Sequence, residues 1–172
     1  MNNKILGIPK IIFVDFDNTL SANVWADNLT SHSFSSDNHT NWESMRKMNP
    51  DFYALCKPVP CVARAIQFFH QRGSRIFLLS HETGHFARKL KEQWVEHYFP
   101  GIFEDKIFTA SADQKLKVMD VYSLTESIDR KEIALIEDRA STCDQADKEG
   151  FISWTLAFIA LTFDSEVILS VH

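Results

Sequence analysis

The chain has 172 residues, 45% hydrophobic and 24% charged, the composition of an ordinary globular protein with room for one core domain and a small insertion. Its 18 basic and 23 acidic residues give a formal charge of −5 with no block of Lys or Arg; this argues against a polynucleotide partner but allows a single phosphate group. The three cysteines, Cys56, Cys61 and Cys143, form no CxxC pair and read as reduced thiols. With no export signal and no apolar run of the roughly 20 residues that a bilayer helix needs, a soluble cytoplasmic protein is expected, without a membrane partner.

In chain order, Lys10 to Val14 is a compact run rich in β-branched residues without polar alternation, the pattern of a strand buried on both faces of a parallel sheet. It closes on Asp15-Phe16-Asp17-Asn18-Thr19. The following stretch, Ser21 to Lys57, is rich in Asn, Ser, Asp and His yet carries Trp25, Phe34, Trp42, Phe52 and Tyr53. A solvated linker has few aromatics, so this stretch reads as an inserted lid. The domain division is therefore a core over 1–20 and 58–172 with a small cap over 21–57.

Beyond the lid, Val62, Ala65, Ile66 and Phe69 repeat at helical spacing before Gly73, and Arg75 to Leu79 reads as a strand ending at Ser80. Phe86, Leu90, Trp94 and Val95 mark a second helix before Pro100, followed by a short strand, Lys106 to Phe108. Leu116, Met119 and Val121 to Tyr122 mark a third helix after Asp113, with Lys115 at its start. Glu132 to Ile136 is the next strand, with Glu137 and Asp138 after it. A helix follows from Thr142 to Glu149, where Gly150 suits a left-handed C-terminal cap, and then a strand from Phe151 to Thr155. The apolar segment Ala157 to His172 carries no motif and is expected to complete the sheet or make a subunit contact. Strands alternating with helices predict an α/β fold, a Rossmann-like parallel sheet flanked by helices with a cap insertion after the first strand.

In an open parallel sheet, ligands bind beyond the carboxyl ends of the strands. Asp15, Asp17, Ser80, Lys115, Glu137 and Asp138 occupy those positions and are expected to converge. Crowded carboxylates repel, and such clusters are normally neutralised by a hard divalent cation with oxygen ligands, for which Mg2+ is the natural candidate. Lys115 and Ser80 would meet the remaining oxygens of a bound phosphate.

Asp15-Phe16-Asp17-Asn18-Thr19 after a strand resembles the first motif, Asp-x-Asp-x-Thr, of the haloacid dehalogenase superfamily. Ser80 is similar to the second motif and Lys115 to the third, with Lys117 as the alternative lysine. Ile136 to Gly150 resembles the fourth, an acidic pair after a strand followed by a helix. Glu137 stands where Asp is commoner, and Ser141 or Thr142 where many members have a further acid.

The resemblance implies a phosphatase, because Asp17 fills the position that separates phosphatases from dehalogenases. It also implies roles: Asp15 as the nucleophile that forms an aspartyl-phosphate, Asp17 as acid and then base, and Ser80 and Lys115 at the phosphate. Mg2+ is expected on Asp15, Glu137, Asp138 and the Asp17 carbonyl. Thr19, Ser80, His81 and Arg139 are candidate substrate contacts. The stretch Leu135 to Arg139 is similar to that of deoxyribonucleotidases, which points to a small phosphorylated substrate, with a nucleotide as the leading choice.

Two other readings stand beside this one. His81-Glu82-Thr83-Gly84-His85 satisfies HExxH, which on a helix gives two zinc ligands and a glutamate base, as in metalloproteases; Gly84 and the preceding strand weaken it. A non-catalytic phosphate-binding regulatory protein would keep the fold, but the intact Asp15, Asp17 and Asp138 count against lost turnover.

Overall fold

A computed structural model describes residues 7–22 and 52–163. Most of the expected cap, including Trp25, Phe34 and Trp42, lies outside the described residues, as does the end of the apolar C-terminal segment. The elements are strands β1 (Ile11–Val14), β2 (Ser21–Ala22) and β3 (Lys57–Pro58), helix α1 (Pro60–His70), strand β4 (Arg75–His81), helix α2 (His85–Tyr98), strand β5 (Phe103–Thr109), helix α3 (Gln114–Thr125), strand β6 (Ile133–Glu137), helix α4 (Ala140–Lys148), strand β7 (Ile152–Thr155) and helix α5 (Leu156–Phe163).

All four residues of β1 are fully buried. Successive strand side chains point to opposite faces, so Ile12 and Val14 enter one apolar cluster and Ile11 and Phe13 the other. That is why the run shows no polar alternation. β1 pairs in parallel with β4 and with β6, and β5 and β7 add outside them, giving the order β5-β4-β1-β6-β7. On the first face, α1, α2 and α5 pack through Val62, Ile66, Phe69, Trp94, Val95, Ile159 and Phe163; on the second, α3 and α4 pack through Leu116, Met119 and Ala146. The sheet is α/β and Rossmann-like, as expected.

Boundaries follow local chemistry. Pro60 opens α1, where its missing N–H costs nothing. Gly150 adopts φ 90°, and the next residue, Phe151, returns its N–H to the Ala146 carbonyl at 3.0 Å, closing α4. β5 is longer than the run Lys106 to Phe108, because as an edge strand it tolerates the exposed Glu104 and Asp105.

Three expectations need correction. Leu156–Phe163 is a helix rather than another strand of the sheet: Phe163 packs edge-on against Phe68 at 5.5 Å and Phe69 at 5.8 Å, and its carbonyl accepts from Arg64 Nε at 2.9 Å. Phe86 and Val121, read as part of buried stripes, are exposed. Both sit on helices whose buried faces are already formed, by Trp94 and Val95 on α2 and by Leu116 and Met119 on α3.

β2 and β3 form a short antiparallel pair, Ser21 opposite Pro58 and Ala22 opposite Lys57, which brings the two ends of the insertion together beside the end of β1. Among the described residues, no helix is long and apolar enough to cross a membrane. All three cysteines are buried, and burial pushes the Cys143 thiol up to about 11.

Candidate active site

The chain winds outward from β1 to β4 and β5, then crosses back to β6 and β7. The direction reverses at β1, so the crevice beyond its carboxyl end is where such a sheet opens to ligands. The Asp15 N–H still continues the ladder, donating to the Ile136 carbonyl at 3.0 Å, and then the chain turns. The Leu20 N–H returns to the Asp15 carbonyl at 3.2 Å and the Ser21 N–H to the Phe16 carbonyl at 2.9 Å. The turn passes through Asn18 at φ 59°, a left-handed conformation that Asn tolerates better than most residues. Phe16 is driven inward against Tyr53 and Trp94, with ring centroids at 5.4 and 5.1 Å. Asp15 stays buried, and Asp17 stands at the mouth with its side chain 31% exposed.

Lys115, on the first turn of α3, places Nζ 2.6 Å from Asp15 Oδ1 and 2.7 Å from Glu137 Oε2. The other Asp15 oxygen, Oδ2, accepts from the Thr19 hydroxyl at 3.3 Å. Lys117 is exposed, so Lys115 is the lysine at the crevice. Asp138 is at the exposed rim, and ligand oxygens of Asp15, Glu137 and Asp138 lie within 4.8 Å of one another.

Among the described residues, three acids around one lysine leave an excess of negative charge. Burial, reinforced by the Asp15 charge and only partly offset by Lys115, pushes the Glu137 carboxyl up to about 8. Desolvation, with Asp15 adding to it, also raises Asp138. Burial acts to lower Lys115, but the Asp15 and Glu137 carboxylates outweigh it and hold the ammonium above its usual range. The upward shift of Glu137 is the mark of burial and of repulsion between the carboxylates, which favour its protonated form. A hard divalent cation offsets that repulsion with oxygen ligands alone, and the donor set fits Mg2+ rather than a soft metal.

The other expected residues are distributed less simply. Thr19, a candidate substrate contact, is fully buried and bonds Asp15, so it orients the carboxylate from below instead of reaching the crevice. Ser80 ends the core of β4 almost wholly buried, its Oγ bonded to Lys91. His81 turns its Nε2 to the Ala110 carbonyl at 3.0 Å. Arg139 is exposed at the N-cap of α4, its backbone N–H 3.4 Å from Glu137 Oε1.

The HExxH segment runs from the end of β4 through a loop to the first residue of α2, so His81 and His85 do not share a helical face. Glu82 is buried with its oxygens toward the Gly84 N–H and Lys91, at 3.0 and 3.4 Å. The helical premise of the zinc reading therefore fails.

Lys91 is the residue that motif reasoning did not single out. It is fully buried within α2, with Nζ 2.6 Å from Asp17 Oδ2 and 3.1 Å from Ser80 Oγ. Its sequence signal is its spacing, three and four positions before Trp94 and Val95, which puts a charge on the apolar stripe of the helix. Tyr53 contributes from the far side of the insertion, its hydroxyl 3.5 Å from Asp17 Oδ1.

No protein-family model matches the chain, and no curated protein matches its sequence significantly. Solved structures do match. A hydrolase from Streptococcus pneumoniae aligns with TM-score 0.61 over 92% of this chain and 100% of its own, at 11% identity. A HAD-superfamily hydrolase from Ehrlichia chaffeensis aligns with TM-score 0.55, covering 91% and 95% at 12% identity. A HAD-family enzyme from Bacteroides thetaiotaomicron, in complex with magnesium and inorganic phosphate, aligns with TM-score 0.51, covering 86% and 93% at 15% identity. This is the haloacid dehalogenase-like fold. At such identities the likeness is one of architecture, and the chemistry of the haloacid dehalogenase-like sheet in this chain rests on its own residues.

Proposed function

We propose that this chain is a magnesium-dependent phosphomonoester hydrolase working through an aspartyl-phosphate on Asp15. The observation that carries the reading is the buried cluster at the end of β1, where Asp15 is held by Lys115 and Thr19 beside Glu137 and Asp138. A carboxylate fixed at both oxygens in a desolvated crevice is a suitable nucleophile. An Asp15 oxygen attacks phosphorus and the ester P–O bond breaks, while Asp17 at the mouth gives its proton to the departing alkoxide. Asp17 then takes a proton from the water that attacks the same phosphorus, releasing inorganic phosphate and restoring the Asp15 carboxylate. One group serves as acid in the first step and base in the second. Lys115 holds the nucleophile in place and offsets charge at the phosphate, with Ser80 and His81 as phosphate-side contacts and Arg139 at the rim.

Mg2+ would be held by Asp15, Glu137, Asp138 and the Asp17 carbonyl, supplying positive charge against the repulsion between carboxylate and phosphate. The magnesium and phosphate in the Bacteroides thetaiotaomicron neighbour support this assignment. The substrate we infer is small and phosphorylated, a nucleotide first, on the strength of Leu135 to Arg139. Residues 21–57 are proposed as a small cap, supported by the β2 and β3 pairing at its base. A reducing, cytoplasmic setting is part of the same reading, supported by the free, buried Cys61 and Cys143.

The test is turnover of p-nitrophenyl phosphate with MgCl2 and with EDTA, followed by a panel of nucleotides, sugar phosphates and phosphopeptides. Magnesium-dependent release of phosphate is expected, with nucleotides preferred. Absence of turnover on every ester in the presence of Mg2+ overturns the reading.

A further inference from the structure

Lys91 has no part in the reaction just described, yet its surroundings are more demanding than those of any surface lysine. Its side chain is wholly buried, and Nζ approaches Asp17 Oδ2 at 2.6 Å, Ser80 Oγ at 3.1 Å and Glu82 Oε2 at 3.4 Å. The ammonium also lies over the rings of Phe16 and Tyr53, 5.2 and 5.9 Å from their centroids. Fully buried lysines are rare, and a buried ion pair is weak as a device for stability, since apolar side chains of similar volume often serve as well. What an apolar residue cannot supply is a set of directed donors joining the end of β1 to the end of β4.

The hydrogen-bond inventory defines what those donors do. An ammonium has three N–H donors and no acceptor, and among the described residues three acceptors stand around Lys91. Ser80 Oγ therefore accepts from Lys91, and its own hydrogen must point elsewhere, away from the lysine. Asp17 is gripped on both oxygens, Oδ2 by Lys91 and Oδ1 by the Tyr53 hydroxyl at 3.5 Å. Glu82 is anchored by the Gly84 N–H and so fixes the lysine in turn.

We infer that Lys91 is a positioning residue: from beneath the crevice it sets the Asp17 carboxylate and the Ser80 hydroxyl together, so that Asp17 meets the leaving group. The inference rests on the phosphatase reading. It places the selectivity of Lys91 on proton delivery, the step in which Asp17 acts on the departing oxygen.

Two esters of nearly equal size separate that role from support of the fold. The p-nitrophenolate ion departs readily without a proton, whereas phenolate is a poorer leaving group and gains more from one. In Lys91→Met, kcat/KM for phenyl phosphate is expected to fall about tenfold or more beyond its fall for p-nitrophenyl phosphate, the scale of a misplaced general acid. KM is expected to change little for either ester. Asp17→Asn combined with Lys91→Met should be no slower on phenyl phosphate than Asp17→Asn alone.

Equal losses on the two esters, or additive losses in the double variant, overturn the inference. Lys91→Met leaves Asp17 and Glu82 without their cation; if it does not fold, Lys91→Met with Glu82→Gln, which removes one of those charges, carries the same comparison. A wild-type protein inactive on both esters overturns the phosphatase reading, and this inference with it, whereas an active wild type with equal losses overturns the inference alone.

Discussion

Asp15 and Lys115 lie 100 positions apart in the sequence and meet at 2.6 Å in a buried ion pair. The pair forms because β1 and the start of α3 both end at the same crevice, and its charges are opposed by a second acid, Glu137, on the same ammonium. Replacing Asp15 with Asn keeps the shape and removes one of two competing carboxylates. Turnover of p-nitrophenyl phosphate should fall by at least about a thousandfold, as expected for loss of a covalent nucleophile. In EDTA the melting temperature of Asp15→Asn should match or exceed that of the wild type, because repulsion within the cluster is relieved. Retained turnover, measured by phosphate release, removes Asp15 from the mechanism.

Glu137 gives the metal-free protein a particular pH dependence. Its carboxyl is raised from 4.5 to about 8, chiefly by burial and then by the Asp15 charge. The folded protein thus holds a proton that the unfolded chain has already released, and this group's contribution to stability is fully present below pH about 4.5 and lost as pH rises to about 8. Between those limits the wild type in EDTA should lose about 10 °C or more of melting temperature relative to Glu137→Gln. Saturating Mg2+ should flatten the wild-type curve. Parallel melting curves for the two proteins across this range contradict the assignment.

The parts of the molecule legible in the sequence are those with a local cause. β1 could be read because a strand covered on both faces admits only apolar residues, and Asp15 and Asp17 because the acids stop that run abruptly. Gly150 could be placed because a helix ending in a left-handed turn has few other residues to choose from. Leu156–Phe163 could not be read, since seven of its eight residues are apolar or aromatic and show no helical period. Lys91 was hidden for a different reason: among Arg88, Lys89 and Glu92 it looks like one more charge on a solvated helix, and only its phase against Trp94 and Val95 marks it as buried. Glu82 was legible as an acid but in the wrong context, because HExxH carries meaning only when a helix brings its histidines together.

Asp138 tests the metal from the solvent side. It stands at the rim while Asp15 and Glu137 are buried, so Asp138→Asn should leave the core undisturbed and remove one anionic oxygen ligand. The Mg2+ concentration for half-maximal activity should rise about tenfold or more, with activity partly restored at high Mg2+. Because the buried cluster favours the protonated form of Glu137, Mg2+ binding to the wild type should also release protons, visible in calorimetry as a heat that depends on the buffer's ionisation enthalpy. An unchanged Mg2+ requirement in Asp138→Asn places the cation elsewhere.

Lys115 tests whether the cluster is held by charge or by packing. Lys115→Met preserves most of the buried volume but leaves the Asp15 and Glu137 carboxylates facing each other. Stripping one partner from a buried ion pair costs about 3–5 kcal/mol, and here the cost should grow above pH 8, because Lys115 is one of the groups that lowers Glu137 and without it the carboxyl keeps its proton to higher pH than in the wild type. Urea denaturation in EDTA should show a larger loss at pH 9 than at pH 7. Adding Glu137→Gln to Lys115→Met should recover much of the stability, since a single carboxylate then remains beside the methionine, while activity stays lost because the nucleophile no longer has its cation. A Lys115→Met protein as stable as the wild type at pH 9 in EDTA means that packing, and not the ion pair, holds Asp15 in place.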